Sequence, residues 1–441
     1  MKFNALRIAA AAALLLSAAP SFAEGYQINT LSARQNGMGH TGASLKLGAE
    51  SQIFNPAAMA YMENNIDFSG SVSCLFSHVD ADVAGKEYQT DNNPATPMSF
   101  SLGMKVYKNF AAGVTFYTPY GSGINWGENW PGSMLNQKVK LRMYTVQPTL
   151  SWRILPNLSV GAGAMVTWGT VDLNKGLIPA ESINGVLQMT GNPYRFSDTP
   201  ASVNLNGKAA TTVGIHVGAM WDVTKRLTLG VDFRSKMTLK VKKGDASVSY
   251  ANEIAKQLLE ERLNMLNQAN FTASMPAAAT LTFGASYRPT DRLMLAAEAQ
   301  WTGWSAYKTL EIDFLSEALS AYNQHLEKNY RNSWTFHLGG QYSLTERLDL
   351  RLGMMIDTTP VNIDYYNPET PGMTKIEPSC GFSFRPVKNF SIDASLLYVA
   401  GLGRDNTRCP YTDLLTGQTK TFEANYKLHA WCPAIGCSLR F

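Results

Sequence analysis

Histidine is the side chain best suited to proton transfer and metal binding near neutral pH, and this sequence contains six. None belongs to an HExxH zinc-protease motif, and no GxSxG elbow offers a serine nucleophile. With no base placed beside a nucleophile, the sequence predicts no catalytic residue and no enzyme activity. The histidines are His40, His78, His216, His325, His337 and His429.

The five cysteines form no metal-binding pattern either. Their number is odd, no CxxC pair occurs, and no Cys–His cluster has the spacing of a zinc site. We expect most of them to be unpaired, while one disulfide in an oxidising compartment remains open. No metal or other cofactor is therefore predicted. The positions are Cys74, Cys380, Cys409, Cys432 and Cys437.

The first 23 residues have the pattern of an export signal. Lys2 and Arg7 precede an apolar core at 8–16, and a small-x-small cleavage site follows at 21–23. The sequence thus predicts a signal peptide at 1–23 and a mature start at Glu24. Removing the two cations lowers the formal charge from +4 to +2, which gives no reason to expect a nucleic-acid partner.

The mature composition is unusual for a soluble protein. Its 418 residues (441 minus 23) show no linker, and no apolar run of about 18 residues follows the signal. Charged residues make up only 16% of the chain, against about 25% in typical soluble domains. An exported chain rich in glycine and aromatic residues, without an apolar helix, is typical of an outer-membrane β-barrel.

Six short turns with strand-like flanks recur after residue 65. Alternation is clear after each turn, as in Leu348, Leu350 and Leu352 with Asp349 and Arg351 between them. Strands of at least ten residues with aromatic residues at their ends suit a lipid-facing barrel better than a soluble sandwich. The turns lie at 106–110, 154–158, 223–227, 288–293, 344–348 and 385–390.

Counting strands between turns predicts an all-β fold, a 14-stranded antiparallel transmembrane barrel over 66–441. Short and long connections alternate strictly, so the short turns are placed on the periplasmic side and seven long loops outside. The predicted strands are 66–80, 97–107, 110–119, 140–153, 157–172, 207–222, 226–243, 276–289, 291–304, 330–344, 346–357, 374–386, 388–401 and 426–441.

Residues 24–65 are not built like the rest. They are rich in glycine and too poor in apolar residues to fold alone. Asn55 and Pro56 predict a capped short helix over 56–62. Because this segment precedes the first strand, we expect it to form a small helical plug in the lumen. Inward-facing polar residues are available to hold it: Asp232, Arg234, Glu298, Arg347, Asp349 and Arg351.

Two outer loops, at 252–270 and 314–330, carry helix-like apolar stripes. Either these stripes pack onto other loops, or they offer an apolar landing surface for a greasy ligand. The predicted strands also locate two pairs of histidines in the barrel. His216 and His337 are expected to line the lumen, whereas His78 and His429 lie near the outer ends of the first and last strands, where a metal or catalytic pair remains an alternative.

The chain resembles the FadL/TodX-type outer-membrane transporters of long-chain fatty acids and other hydrophobic compounds. The likeness covers nearly the whole mature chain. It rests on Gly25-Tyr26-Gln27, a glycine-rich start through Gly39, Asn55-Pro56-Ala57, Thr118-Pro119-Tyr120-Gly121, Leu205-Asn206-Gly207, Arg234-Ser235, Met275-Pro276, Trp301-Thr302-Gly303-Trp304-Ser305, Arg351-Leu352-Gly353 and Asp357-Thr358-Thr359-Pro360-Val361.

The resemblance implies a passive mechanism. Outer loops capture a hydrophobic solute, a lumen pocket beside the plug's N-terminus binds it, and it leaves sideways at a kinked third strand. Gly25 and Tyr26 match the family's pocket-lining start. Either Gly113 or Pro119 could weaken the third strand, since proline removes a donor and glycine adds no packing. The motif Asn55-Pro56-Ala57 is expected to be structural.

The resemblance also implies the partners. They are a long-chain fatty acid or other hydrophobic small molecule, and the lipid and lipopolysaccharide of the outer membrane around a barrel that we expect to be monomeric. Arg234, Arg351 and Arg153 are carboxylate-binding candidates by lumen position alone. Without such a cation, a hydrocarbon-specific channel of the same fold is an equal alternative, and a general porin is another.

Overall fold

A computed structural model describes residues 25–441, so the predicted signal peptide lies outside the described residues. The 22 strands form one antiparallel sheet. They are β1 Ile66–Ser73, β2 Phe76–Val83, β3 Lys86–Gln89, β4 Met98–Tyr107, β5 Phe110–Tyr117, β6 Gly121–Asn125, β7 Lys138–Leu155, β8 Leu158–Gly176, β9 Ala201–Asp222, β10 Leu227–Arg234, β11 Met237–Tyr250, β12 Asn270–Ala277, β13 Thr280–Tyr287, β14 Leu293–Thr302, β15 Thr309–Phe314, β16 Gln324–Glu327, β17 Ser333–Ser343, β18 Leu348–Asp357, β19 Lys375–Val387, β20 Phe390–Gly401, β21 Arg404–Thr412 and β22 Thr419–Arg440.

The helices are short. The α-helices are α1 Ala33–Asn36, α2 Ser51–Phe54, α3 Ala180–Met189 and α4 Glu253–Leu263. The 3₁₀ helices are Gly48–Glu50, Pro56–Tyr61, Asn264–Leu266, Trp304–Ala306, Glu317–Tyr322 and Ile363–Tyr365. Among residues 25–441, no helix is both long and apolar enough to cross a membrane.

The sheet closes on itself, because β1 pairs with β22 from Asp67↔Arg440 to Ser73↔Ala434. The result is a closed 14-strand antiparallel barrel, as predicted. Six transmembrane strands are interrupted once, and β3 and β16 form hairpins in outer loops. The interrupted strands are β1–β2, β5–β6, β10–β11, β12–β13, β14–β15 and β20–β21.

The two faces of the wall have opposite chemistry. On β18, the outward-facing Leu352 is 70% exposed, whereas its neighbour Arg351, which faces the lumen, is 4% exposed. The same alternation runs along β4, β13 and β17. Along these strands apolar side chains therefore face lipid and polar ones face inward, the reverse of a soluble sandwich and the pattern of an outer-membrane barrel, whereas the inward residues of the upper strands are apolar.

The periplasmic turns agree with the prediction, but the outer loops contain more structure than predicted. The 252–270 segment is helical only over α4 and Asn264–Leu266. The predicted helix at 314–330 is present only as a 3₁₀ helix over Glu317–Tyr322, and Gln324–Glu327 instead forms β16, which pairs with β15. Helix α3 had no sequence signal that we recognised.

Two layers fill the lumen. Residues 25–65 occupy the lower part and are almost entirely buried. Above them, inward-folded outer loops and the upper strands form one large apolar cluster. All five cysteines are unpaired, as expected for most of them.

Candidate functional site

The plug is fixed through Asn55. Its amide donates hydrogen bonds to the carbonyl groups of Ala43 (2.7 Å), Ala219 (3.1 Å) and Val231 (3.3 Å). Its side-chain oxygen accepts from the backbone N–H of Ala57 at 3.0 Å and so caps the helix that begins at Pro56. The predicted capped turn is present as a 3₁₀ helix, and the same side chain fastens it to two barrel strands.

Buried charges form a second attachment. Arg34 of the plug lies 3.3 Å from Asp393 of β20 and 3.6 Å from Glu50. Arg351 lies 3.4 Å from Asp393 as well. Burial opposes the charge of Arg34, but the carboxylates of Asp393 and Glu50 outweigh it and raise the pKa of the guanidinium. This network joins the plug to the wall through one shared carboxylate.

Other predicted plug contacts divide into two groups. Glu298 accepts hydrogen bonds from the backbone N–H groups of Gly42 (2.7 Å) and Ala43 (2.8 Å), and Arg234 donates to the carbonyl of Ile53. Asp232 pairs with His216, and Asp349 lies 2.6 Å from Arg385. The expectation for Arg347 is wrong: it is exposed, because it lies in the turn before β18.

Tyr26 lies in an aromatic box at the N-terminal end of the plug. It is fully buried, with ring centroids at 4.8 Å from Trp304, 5.9 Å from Tyr307 and 6.0 Å from Tyr120. Its hydroxyl donates to the carbonyl of Pro276. Burial raises the pKa of Tyr26 well above its ordinary value, so the phenol stays a neutral donor.

Gly25 is required by this packing. Its φ of +69° lies in the left-handed region, and a Cβ there would be 3.0 Å from the Trp304 ring. A larger residue would therefore strain the backbone and displace the ring. The sequence motif Gly25-Tyr26 is a backbone turn that delivers the tyrosine to its box.

The third transmembrane strand is broken at Pro119. β5 ends at Tyr117 and β6 begins at Gly121. The backbone hydrogen bonds between this strand and β4 end at Thr118, whose N–H donates to the Met98 carbonyl. Among the described residues, hydrogen bonds from the same edge of the strand begin again only at Asn125. Gly113 instead pairs regularly with Gly103 and Thr149. Of the two predicted weak points, only Pro119 interrupts the ladder.

The plug's first residues cover this break. The Ile28 N–H donates to the Pro119 carbonyl at 2.8 Å, and the Gly121 N–H donates to the Tyr26 carbonyl at 2.9 Å. Gln27 forms an isolated antiparallel bridge with Tyr120. Tyr26 thus links two features, because its backbone covers the strand break while its ring fills the aromatic box.

An apolar cavity lies above the plug, with about 800 Å³ of unfilled space. It reaches Ser122, just beyond the strand break, and Met275, next to the carbonyl that receives the Tyr26 hydrogen bond. A predominantly apolar lining with a few polar groups is typical of a small-molecule site. The apolar lining includes Val139, Leu141, Leu173, Leu205, Leu239, Val241, Phe271, Leu310 and Ile312.

Two lysines that sequence reasoning missed lie near Glu369, a residue that lines this cavity. Glu369 lines the cavity and pairs with the buried Lys328. Lys175 is 7% exposed, donates to Gln324 at 2.6 Å, and interacts with the charges of both. Two ammonium groups and one carboxylate leave one net positive charge. Long-range contacts of loops 324–328 and 358–374 assemble this cluster, and no local sequence motif predicts it.

The predicted cations are placed elsewhere. Arg234 and Arg351 hold the plug, as described, and Arg153 lies over the ring of Tyr61, 5.6 Å from its centroid. None of the three lines the apolar cavity. Position in an inward-facing register therefore identified residues that contact the plug or its partners.

Most of the histidines fall into two groups, one cross-strand pair and a set buried in the lumen. His78 and His429 are direct cross-strand neighbours, as expected, with ring centroids 5.3 Å apart. Across the described chain, no group of three or more potential metal ligands occurs. His216 and His337 are buried in the lumen. Within the plug, burial and the neighbouring His337 lower the pKa of His40 to about 3.

These features define a class of protein: an outer-membrane β-barrel with a lumen plug and an apolar internal cavity. The model of the family described as outer membrane protein transport protein (OMPP1/FadL/TodX) matches residues 14–441. The chain belongs to this family, whose members transport hydrophobic compounds across the outer membrane.

One relative and two solved structures show what the chain is similar to. A putative outer membrane protein of Neisseria meningitidis serogroup B is 24% identical, with 87% of each chain covered. A FadL homologue from Pseudomonas aeruginosa has a TM-score of 0.81 at 21% identity, covering 95% of this chain and 100% of that one. The toluene transporter TodX of P. putida has a TM-score of 0.70 at 17% identity, with coverages of 95% and 99%.

Proposed function

We propose that this protein takes up long-chain fatty acids through the outer membrane by passive diffusion. The observation that carries the proposal is the position of Tyr26, which closes the strand break at Pro119 beside an apolar cavity. A solute that enters the cavity from the outer loops meets this contact before it reaches the membrane. When residues 25–28 detach, the break becomes a lateral exit.

The physical chemistry supports a sideways path. Burial of apolar surface is worth about 25 cal/mol per Å², so an acyl chain gains nothing by entering periplasmic water. A lateral exit passes it from an apolar cavity into lipid. No energy source is needed, because the acyl chain is in apolar surroundings on both sides.

A cleft among the outer loops suits first capture. It contains about 1340 Å³ of unfilled space and is lined by Lys175 together with Leu177, Leu326 and Leu414. Lys175 stands between this cleft and the cavity end marked by Glu369. A carboxylate that arrives there meets the net positive charge of Lys175, Lys328 and Glu369, and its chain points into the apolar cavity.

We propose the same organisation for the whole chain: residues 1–23 as signal peptide, 24–65 as plug and 66–441 as a monomeric barrel in contact with membrane lipid and lipopolysaccharide. The runner-up function is a channel specific for neutral hydrocarbons, which the similarity to a toluene transporter favours. A general porin is a third reading, and the plugged lumen speaks against it.

Uptake of labelled oleate and labelled toluene by cells that produce the protein tests the proposal. We expect oleate uptake well above that of protein-free cells. Tyr26→Ala should increase basal uptake severalfold, since the closed state loses a buried ring. Tyr107→Ala, which removes an exposed tyrosine at a periplasmic turn, is the matched control. Equal uptake by protein-free cells contradicts a transport function.

Lys328→Gln separates the two substrate classes. It removes one of two cations near the cavity and lowers the net charge of the cluster from +1 to 0, so a carboxylate is no longer attracted. Oleate uptake should fall at least tenfold while toluene uptake is unchanged, and Lys328→Gln with Glu369→Gln should recover part of the loss. A parallel fall for both solutes contradicts carboxylate recognition.

A further inference from the structure

The lipid-facing wall carries a groove where β13, β14, β17 and β18 lie side by side. Its floor is formed by small outward-facing residues, namely Ala285, Ala297 and Gly340. These positions adjoin one another across the sheet, because Ala285 pairs with Ala297, and Gly340 pairs with both Leu295 and Leu352. The groove contains about 1500 Å³ of space that opens towards the membrane.

Large side chains form the side walls of this groove. Leu295, Leu338 and Leu352 stand beside the small residues and project into the lipid region. Tyr287 and Tyr342 close its lower end and mark the periplasmic interface, where amphipathic rings prefer to lie. The groove is therefore a long apolar channel in the wall that ends at the headgroup level.

Three arginines lie just beyond this lower end. Arg288 follows Tyr287, Arg292 precedes Leu293, and Arg347 lies in the turn between β17 and β18. All three are exposed, and within residues 25–441 no ion pair involves their guanidinium groups. The acids of the same turns are Asp291 and Glu346, so the site keeps one net positive charge.

We propose that this groove binds one phospholipid of the periplasmic leaflet, with an acyl chain along Ala285, Ala297 and Gly340 and an anionic headgroup at the three arginines. Lipopolysaccharide is excluded as the ligand because the arginines lie at the periplasmic leaflet and lipopolysaccharide occupies the opposite leaflet. Guanidinium groups suit a phosphate because they offer paired donors. This site is independent of the transported solute.

A second copy of the barrel fits the groove less well. In a symmetric dimer the same patch of each copy meets its counterpart. The net positive turns that carry Arg288, Arg292 and Arg347 would then face each other across the interface. Like charges in apposition disfavour such a contact, whereas a lipid phosphate neutralises them.

Gly340 supplies the sharpest test, because the backbone does not require a glycine there. A Cβ on Gly340 would lie 3.5 Å from Leu295 Cδ2 and 3.9 Å from the Met294 carbonyl, both ordinary contacts. Gly340→Leu thus fills the groove without straining the chain. Ala394→Leu is the matched control, since Ala394 also faces lipid but pairs with Phe382 and Ile435 on another part of the wall.

Native mass spectrometry of the full-length mature barrel, with phosphatidylglycerol and phosphatidylethanolamine of identical acyl chains, measures the binding. Heat-modifiable gel mobility confirms that each variant is folded. We expect one phosphatidylglycerol per barrel in the wild type and Ala394→Leu, and at least tenfold weaker binding of both lipids in Gly340→Leu. Arg288→Gln with Arg292→Gln should weaken phosphatidylglycerol binding by roughly 25-fold, about fivefold per cation, and leave phosphatidylethanolamine binding unchanged.

Lys108→Gln, which removes an exposed cation from a different periplasmic turn, controls for overall charge and should bind as the wild type does. Undiminished lipid binding by Gly340→Leu overturns the proposal. Equal retention of the two lipids by the wild type overturns the headgroup assignment. A dimer mass that Gly340→Leu abolishes would assign the groove to a second copy of the chain instead.

Discussion

The two parts of the plug are attached to the barrel by different chemistry. Residues 32–61, the plug body, are held by buried ion pairs and by side-chain amides, chiefly Arg34 with Asp393 and Asn55 with three carbonyl groups. Residues 25–29, the plug tip, are held by neutral rings and a few backbone hydrogen bonds. One short segment thus contains a strong anchor and a weaker contact.

This difference separates movement from anchorage. Detaching the plug tip breaks neutral contacts, and an apolar solute in the adjacent cavity can replace them. Detaching the plug body would leave charges unpaired in the lumen, which costs several kcal/mol. We therefore expect the tip to respond to a ligand while the body keeps the lumen closed to ions.

The largest effect is expected for Asp393→Asn. This change leaves Arg34 and Arg351 close together without their shared carboxylate, so plug docking should weaken by about 3–5 kcal/mol. Single-channel recordings in planar bilayers should show open, ion-conducting barrels, whereas the wild type stays closed. Asp405→Asn, at an exposed position of β21, is the control and should stay closed.

Asn55→Ala should have the next largest effect on the plug body. It removes the cap of the helix that begins at Pro56 and three hydrogen bonds to carbonyl groups. Losing the cap costs about 1 kcal/mol, and the unpaired carbonyl groups add about 1–3 kcal/mol. Hydrogen exchange should quicken at the amides of residues 33–60. Asn65→Ala, at an exposed residue, should leave those amides unchanged.

Acid should release the plug body through His40. The docked imidazole has a pKa of about 3, while a detached histidine titrates near its ordinary value of about 6.5. Between these pH values the detached state binds more protons, so docking weakens as pH falls, by up to about 1.4 kcal/mol per pH unit. Channel opening should therefore increase below about pH 6.5.

The variant His40→Gln isolates this effect. Burial raises the pKa of Glu50, so Glu50 favours docking as pH falls and acts with the opposite sign. Without the imidazole, opening should no longer increase on acidification. An unchanged pH profile in His40→Gln contradicts the assignment to His40.

The sequence predicted the barrel because its signals are local and repeated. Period-2 alternation and turn residues do not depend on distant contacts, and six turns fixed the strand count. Asn55 and Pro56 carried the helix cap for the same reason. Outer loops were harder, since β15 and β16 pair across a 3₁₀ helix at Glu317–Tyr322, and Leu310 and Ile312 of β15 are buried by distant parts of the lumen. The periodicity of 314–330 alone was misleading.

The proposed ligand site depends on long-range contacts that the sequence alone does not show. Pro119 was recognised as a weak point because proline removes a donor, a property of the residue itself. Lys328 and Lys175 are 153 residues apart (328 minus 175) and meet only after the loops fold inward. Arg234 and Arg351 had the inward register of a binding residue, but the plug occupies the space before them.

The smallest predicted change tests the plug tip. Tyr26→Phe keeps the ring in its box and removes only the hydrogen bond to Pro276, which costs about 1 kcal/mol. Exchange at the Ile28 and Gly121 amides should therefore quicken roughly fivefold, while the Ala57 amide in the plug body keeps its rate. Tyr307→Phe is a close control, because the Tyr307 ring also contacts Tyr26 but its hydroxyl has no partner among residues 25–441. If the amides of tip and body quicken together, the two parts of the plug move as one, and the separation of gate from anchor fails.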